Sequence, residues 1–174
     1  MVRLVIILSF TLSCIACNNS TKNGVFYNAI HQQIKQFDSL KLSLELSGYK
    51  NQSGFSDTLK NPNWEQALEP FLSLNYENFS KENNLITDTI FDERSNRYLV
   101  RGTNLEEDPS STYLILDSTF QLIQFSLKSE TAGFWKHQIK EYFWDKEGTF
   151  TYIYNYRIKG GEWNEYHWIG KVIQ

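Results

Sequence analysis

From Val25 the apolar residues Phe26, Ile30, Ile34 and Phe37 recur at steps of four, four and three, which places them on one stripe of an amphipathic helix. The period then changes. Leu40, Leu42, Leu44 and Leu46 alternate with Lys41, Ser43, Glu45 and Ser47, the two-residue repeat of a half-buried strand, so the helix is predicted to end near Ser39. The stretch NQSG, Asn51 to Gly54, is turn material, and FSDTL after it returns as a second strand. Asn61-Pro62 supplies a helix cap and a first-turn proline. Trp64, Ala67, Leu68, Phe71 and Leu72 then fall at i, i+3, i+4, i+7 and i+8 of a second helix. Pro70 lies inside that pattern and should kink or split it. The following NYENFSKENN is polar enough for a loop or a last helical turn.

After Leu85 the pattern is strand and turn throughout. Strands are predicted near 85–92, 96–103, 111–117, 120–129, 134–144, 149–159 and 164–173, separated by DERSN, NLEEDPSS, DST, DKEG and KGGEW. Such short connections imply an antiparallel meander. The clearest strand is TFTYIYNYRIK. Phe150, Tyr152, Tyr154, Tyr156 and Ile158 share one face, and Thr149, Thr151, Asn155, Arg157 and Lys159 the other, with Ile153 the exception. The predicted architecture is α+β. Two helices cover one face of a curved antiparallel sheet of seven to nine strands, within a single domain over residues 25–174.

The first seventeen residues, MVRLVIILSFTLSCIAC, carry one basic residue, an apolar run from Leu4 to Ile15, and small Ala16. That layout is a secretory leader, and residues 1–16 read as its signal peptide. The run is shorter than the roughly 20 apolar residues of a bilayer-spanning helix. Cys14 and Cys17 have the C-x-x-C spacing of a redox pair or half a metal site, but no cysteine follows them and a bridge here would staple nothing. The ending Ile15-Ala16-Cys17 resembles the lipobox of bacterial lipoproteins, although Cys14 stands where that family usually has Leu. The resemblance implies acylation of Cys17, with 17–24 as lipidated residue and tether. Each buried CH2 of such an anchor contributes about 0.8 kcal/mol. No acidic run of the kind some Bacteroidota lipoproteins use for surface export follows Cys17. The expected address is therefore the cell envelope, on the outer membrane facing the periplasm.

Two further resemblances bear on the domain. Its order of helix, hairpin, helix and long meander resembles the half-open barrel of the periplasmic lipoprotein-carrier (Lol) family, in which a helical lid covers an apolar sheet. The stretch HQQIKQFDSLKLSLELSGYKNQSGFSDTLKNPNWEQALEPFLSLNYENF is similar to the opening of uncharacterised Bacteroidota lipoproteins with a W-E-x-x-L-x-P-F helix. Trp64, Glu65, Leu68, Pro70 and Phe71 carry that match. It implies an envelope address and one domain, and no mechanism.

Composition narrows the function by exclusion. A net charge of −3 gives no basic footprint, so no nucleic-acid partner is expected. His31, His137 and His167 fall on separate elements and no cysteine lies beyond Cys17, so neither a metal site nor a cofactor is expected. No G-x-S-x-G elbow or phosphate-cradling glycine loop is present. Glu106-Glu107-Asp108 is the densest carboxylate group, suited either to a solvated hairpin tip or to acid–base work on a glycan. The enrichment left to interpret is aromatic: 12 Phe, 10 Tyr and 5 Trp. Tyr152, Tyr154 and Tyr156 with Trp168, and Trp64 and Phe71 from the second helix, form either a packed core face or the lining of a ligand site. Three functions follow in order. The first is a non-enzymatic lipid-anchored envelope protein acting through protein contacts. The second is a half-barrel module for a lipid, acyl chain or other apolar ligand, and the third a cell-wall or glycan hydrolase.

Overall fold

Leu40, where the hydrophobic period changes, is the last residue of the first helix. The computed structural model describes residues 25–103 and 112–174, and in it α1 spans Val25–Leu40. Lys41 turns left-handed at φ 51°, and the Leu42 amide donates back to the Phe37 carbonyl at 3.2 Å, a C-terminal cap that redirects the chain into a strand. The hairpin β1 (Ser43–Lys50) and β2 (Ser53–Lys60) follows, joined by Asn51 and Gln52 at φ 46° and 70°, the two positive values of a tight hairpin turn.

The predicted second helix is split. α2 (Trp64–Ala67) and α3 (Glu69–Leu72) meet at Leu68, with Pro70 in the first turn of α3, where its missing N–H costs nothing. The cap is Asn63, whose side chain accepts from the Gln66 amide, and not Asn61, which makes a left-handed turn at φ 50°. The segment expected as a loop or last turn forms a helix of its own, α4 (Tyr76–Glu82), capped by Asn75 in the same way. Among the described residues the expected pair of helices is therefore four, three of them short.

The remaining strands are β3 (Ile86–Asp92), β4 (Arg97–Thr103), β5 (Thr112–Asp117), β6 (Leu122–Ala132), β7 (Lys136–Asp145), β8 (Thr149–Ile158) and β9 (Asn164–Ile173). All nine form one antiparallel sheet in the order β2-β1-β9-β8-β7-β6-β5-β4-β3. The sheet is curved and unclosed, with β2 and β3 as its edges, and the α+β class holds. Among the described strands the one non-local pairing joins β1 to β9 with Ser43 opposite Ile173 and Lys50 opposite Tyr166, so the first hairpin extends the far side of the meander.

The helices pack on one face, here the inner face. Phe26, Ile30, Ile34 and Phe37 of α1 and Trp64, Leu68, Phe71 and Phe79 of the short helices are buried against Leu44, Leu114, Phe125, Leu127, Trp144 and Phe150. Phe71 is the hub. It has no exposed surface, and its ring lies 5.9–6.2 Å from those of Phe125, Tyr142, Phe150 and Trp168, one from each of β6 to β9. Gly170 makes room for this layer, since a Cβ there would lie 1.9 Å from the Phe150 ring. The buried Gln33 amide donates to the Lys146 carbonyl at 2.5 Å and ties α1 to the β7–β8 turn. Among the described residues every side chain of this core lies beyond residue 25, so a chain from Thr21 to Gln174 retains all of that core. Phe71→Ala, which empties the centre of the layer, is expected to lower stability in urea unfolding by about 3–5 kcal/mol. A loss under about 1 kcal/mol, typical of surface positions, would show that Phe71 is not the hub.

Candidate binding face

Residues opposite one another on neighbouring strands share a face, so the inner face reads as a series of rungs. The first, Trp144–Phe150–Gly170–Leu46, lies under the helices. The second is Tyr142–Tyr152–Trp168–Gly48, the third Lys140–Tyr154–Tyr166–Lys50, and the fourth Gln138–Tyr156–Asn164. From the first rung outward the composition therefore changes from apolar residues to tyrosines with lysine and amide side chains beside them. The helices stop at the second rung, and the third and fourth, half-buried apart from exposed Lys50, are uncovered by the described residues.

Where the α2–α3 elbow meets the second rung, an open groove of about 480 Å³ forms. Tyr152 and Trp168 make its floor, Leu46 and Leu59 one wall, and Pro70 and Glu69 the helical rim. Beyond it the tyrosine rings stand nearly parallel. Tyr154 and Tyr156 are 5.2 Å apart at 24°, and Tyr166 lies 6.3 and 6.4 Å from them. Three ammonium groups attend these rings. Lys136 Nζ donates to the Tyr154 hydroxyl at 2.7 Å, Lys140 Nζ is 5.7 Å from the same ring, and Lys50 Nζ is 5.0 Å from Tyr166. Cations over the negative ring faces are held by the ring quadrupole, which makes this strip both aromatic and positive.

The second rung is electrostatically different. Burial pushes the Tyr142 phenol well up, with smaller contributions from Tyr152 and Glu69. The Tyr152 phenol is raised chiefly by burial as well, and accepts a hydrogen bond from Tyr142. Of the two only Tyr152 lines the groove, while Tyr142 lies in the core beside it.

Of the residues singled out from sequence, Tyr152 and Trp168 line the groove, and Tyr154 and Tyr156 stand in the open strip. Trp64 and Phe71 lie in the core beneath, with 3% and 0% of their surface exposed, and support the face without presenting it. Cys17 and the Glu106–Asp108 carboxylates lie outside the described residues. The three lysines were missed, although Lys136, Gln138, Lys140, Tyr142 and Trp144 already alternate along β7 with the same polar-to-apolar gradient. The histidines are dispersed. His31 stacks on Tyr27, His137 Nε2 lies 2.6 Å from Glu130 Oε1, and His167 Nε2 is 2.7 Å from the Tyr49 hydroxyl. Among the described residues no cluster of three His, Cys, Asp or Glu could hold a metal ion, and no helix is long and apolar enough to cross a membrane. No protein-family model, curated protein or solved structure matches the chain.

The raised Tyr142 phenol has a thermodynamic consequence. Its neutral form stabilises the fold fully below the ordinary phenol value of about 10, and that contribution is lost as pH rises past it, because the unfolded chain ionises first. Denaturant titrations above pH ~10 are expected to show stability falling more steeply in the wild type than in Tyr142→Phe. Parallel slopes would remove Tyr142 from the alkaline transition.

Proposed function

We propose that this protein is a lipid-anchored, non-enzymatic component of the cell envelope that holds a partner protein against the open half of its inner face. The observation that carries the reading is the uncovered strip of Tyr154, Tyr156 and Tyr166 with Lys50, Lys136 and Lys140 around it. Stacked tyrosines give large, rigid contact area at small entropic cost, and aromatic residues dominate the energetics of protein interfaces. The lysines favour a partner surface bearing carboxylates. The strip is open and elongated, which suits a surface better than a small enclosed molecule.

The address rests on the leader. Acylation at Cys17, following Ile15-Ala16, would place the domain on the outer membrane facing the periplasm, with residues 17–24 as tether. The half-barrel reading keeps one specific support, the apolar groove above Tyr152 and Trp168, whose volume of about 480 Å³ falls in the range of small-ligand sites. Trp64 and Phe71 would then support that groove from below and not touch its ligand. Hydrolysis rests on the Glu106–Asp108 carboxylates alone and stands last.

A photo-reactive residue at Tyr156 in intact envelopes is expected to give a single protein adduct, weakened in the Lys140→Glu variant. Native mass spectrometry of the Thr21–Gln174 segment should then show a bare mass. A small apolar molecule lost on denaturation, with no protein adduct, would replace this reading with the ligand module. Cys17→Ser is expected to lower the share of the protein in the membrane fraction, and the wild-type N-terminal peptide should carry acyl mass. An unmodified peptide would sink the anchor.

A further inference from the structure

The β6–β7 and β8–β9 turns leave the same end of the sheet, since Lys136 pairs with Ile158, while α1 crosses the opposite end at the β7–β8 turn. The two tips are joined through the main chain. Lys159 donates its amide to the Trp135 carbonyl at 2.9 Å, and the Gly133 and Gly161 amides close their own turns on Lys136 and Ile158. On this braced platform Phe134 and Trp135 are 72% and 69% exposed, the largest exposures among the large apolar side chains described. Their rings stand edge to face, 5.0 Å apart at 85°, and pack on no core residue. The Lys159 ammonium lies 3.6 Å from the Phe134 ring centroid.

Behind the rings an open cleft of about 560 Å³ runs between the tips, lined by Lys136, His137, Arg157 and Lys159. Two carboxylates are close in sequence: Glu130, which His137 engages at 2.6 Å, and Glu162 in the β8–β9 turn. The cations outnumber them. We propose that the paired tips are a membrane-docking surface, with Phe134 and Trp135 entering the headgroup boundary of an anionic bilayer and Arg157 and Lys159 meeting its phosphates.

A bilayer interface satisfies both halves of this surface at once. Trp and Phe rings settle at the boundary between headgroups and acyl chains, and basic residues beside them are drawn to anionic phosphates. Adjacent aromatic rings this exposed lie outside the core and mark an interaction surface. The geometry also agrees with where the chain continues. Phe26, at the start of α1, packs on Phe125 at 4.7 Å between ring centroids. From Phe125 along β6 to Ala132 is about 23 Å of strand. Residues 17–24 can extend about 28 Å, so an anchor at Cys17 and the tips can reach one membrane.

The inference goes beyond the lipid anchor and is tested without it. The Thr21–Gln174 segment, which holds all of the core among the described residues, is sedimented with vesicles of phosphatidylcholine alone and of phosphatidylcholine with phosphatidylglycerol. The wild type is expected to partition onto the phosphatidylglycerol vesicles preferentially. Phe134→Ser with Trp135→Ser should lower that partition at least about tenfold, and the charge reversal Lys159→Glu at least about fivefold. Both variants change exposed side chains and should keep the wild-type unfolding midpoint, which separates lost docking from lost folding. Wild type left in the supernatant with both vesicles overturns the proposal and returns the tips to a protein partner. Equal partition of the wild type and the Phe134→Ser/Trp135→Ser variant overturns it as well. Neither result bears on Cys17, which is absent from the segment.

Discussion

Phe71 is the contact on which the arrangement depends. One ring, carried on a helix of four residues, touches a ring from each of the four central strands. A helix that short has almost no stability of its own, so it exists because the sheet buries Phe71 and Leu68. The dependence runs the other way too. A nine-stranded sheet with an apolar inner half must be covered, and α1 alone lays one stripe across it. The Leu68–Pro70 break lets the chain turn twice in a short distance and deliver Trp64 beside Phe37 and Phe71 to the middle of the sheet.

The same contact sets the limit of the cover. The helices end where the rungs change from Phe and Trp to Tyr and Lys, so the covered half is core and the open half is surface. A tyrosine tolerates either state, because its ring packs while its hydroxyl remains hydrated. A second-rung phenol such as Tyr142 is therefore raised by burial, while Tyr154, one rung on, bonds an exposed lysine.

Much of this was legible in the sequence, and the exceptions have physical causes. Strand positions followed from alternation and turn residues, and the predicted 149–159 and 164–173 match β8 and β9 almost end to end. The pairing of β1 with β9 was not legible, because periodicity describes a segment and says nothing of which distant edge it meets. α4 was missed because its one buried residue, Phe79, makes no stripe among polar neighbours. Tyr152, Tyr154, Tyr156 and Trp168 were found as a face, yet alternation gives a side and not what covers it. Only the structure separates Trp64 and Phe71, which lie in the core, from the tyrosines beyond them. The exposed Phe134 and Trp135 sit in a turn, where no hydrophobic period applies.

The β1–β9 pairing also fixes the order in which the protein can be assembled. The strand that follows α1 pairs locally with β2 but finds its second partner only when β9 is present, and the loop between them is nearly the whole domain. Contacts of that span form late and slowly. Until β9 arrives, β1 and β2 have no sheet to join and the inner layer lacks Trp168. The meander from β3 to β8 can pair hairpin by hairpin without them, so the joining of β1 to β9 is the step that brings the two ends of the domain together and closes its inner layer.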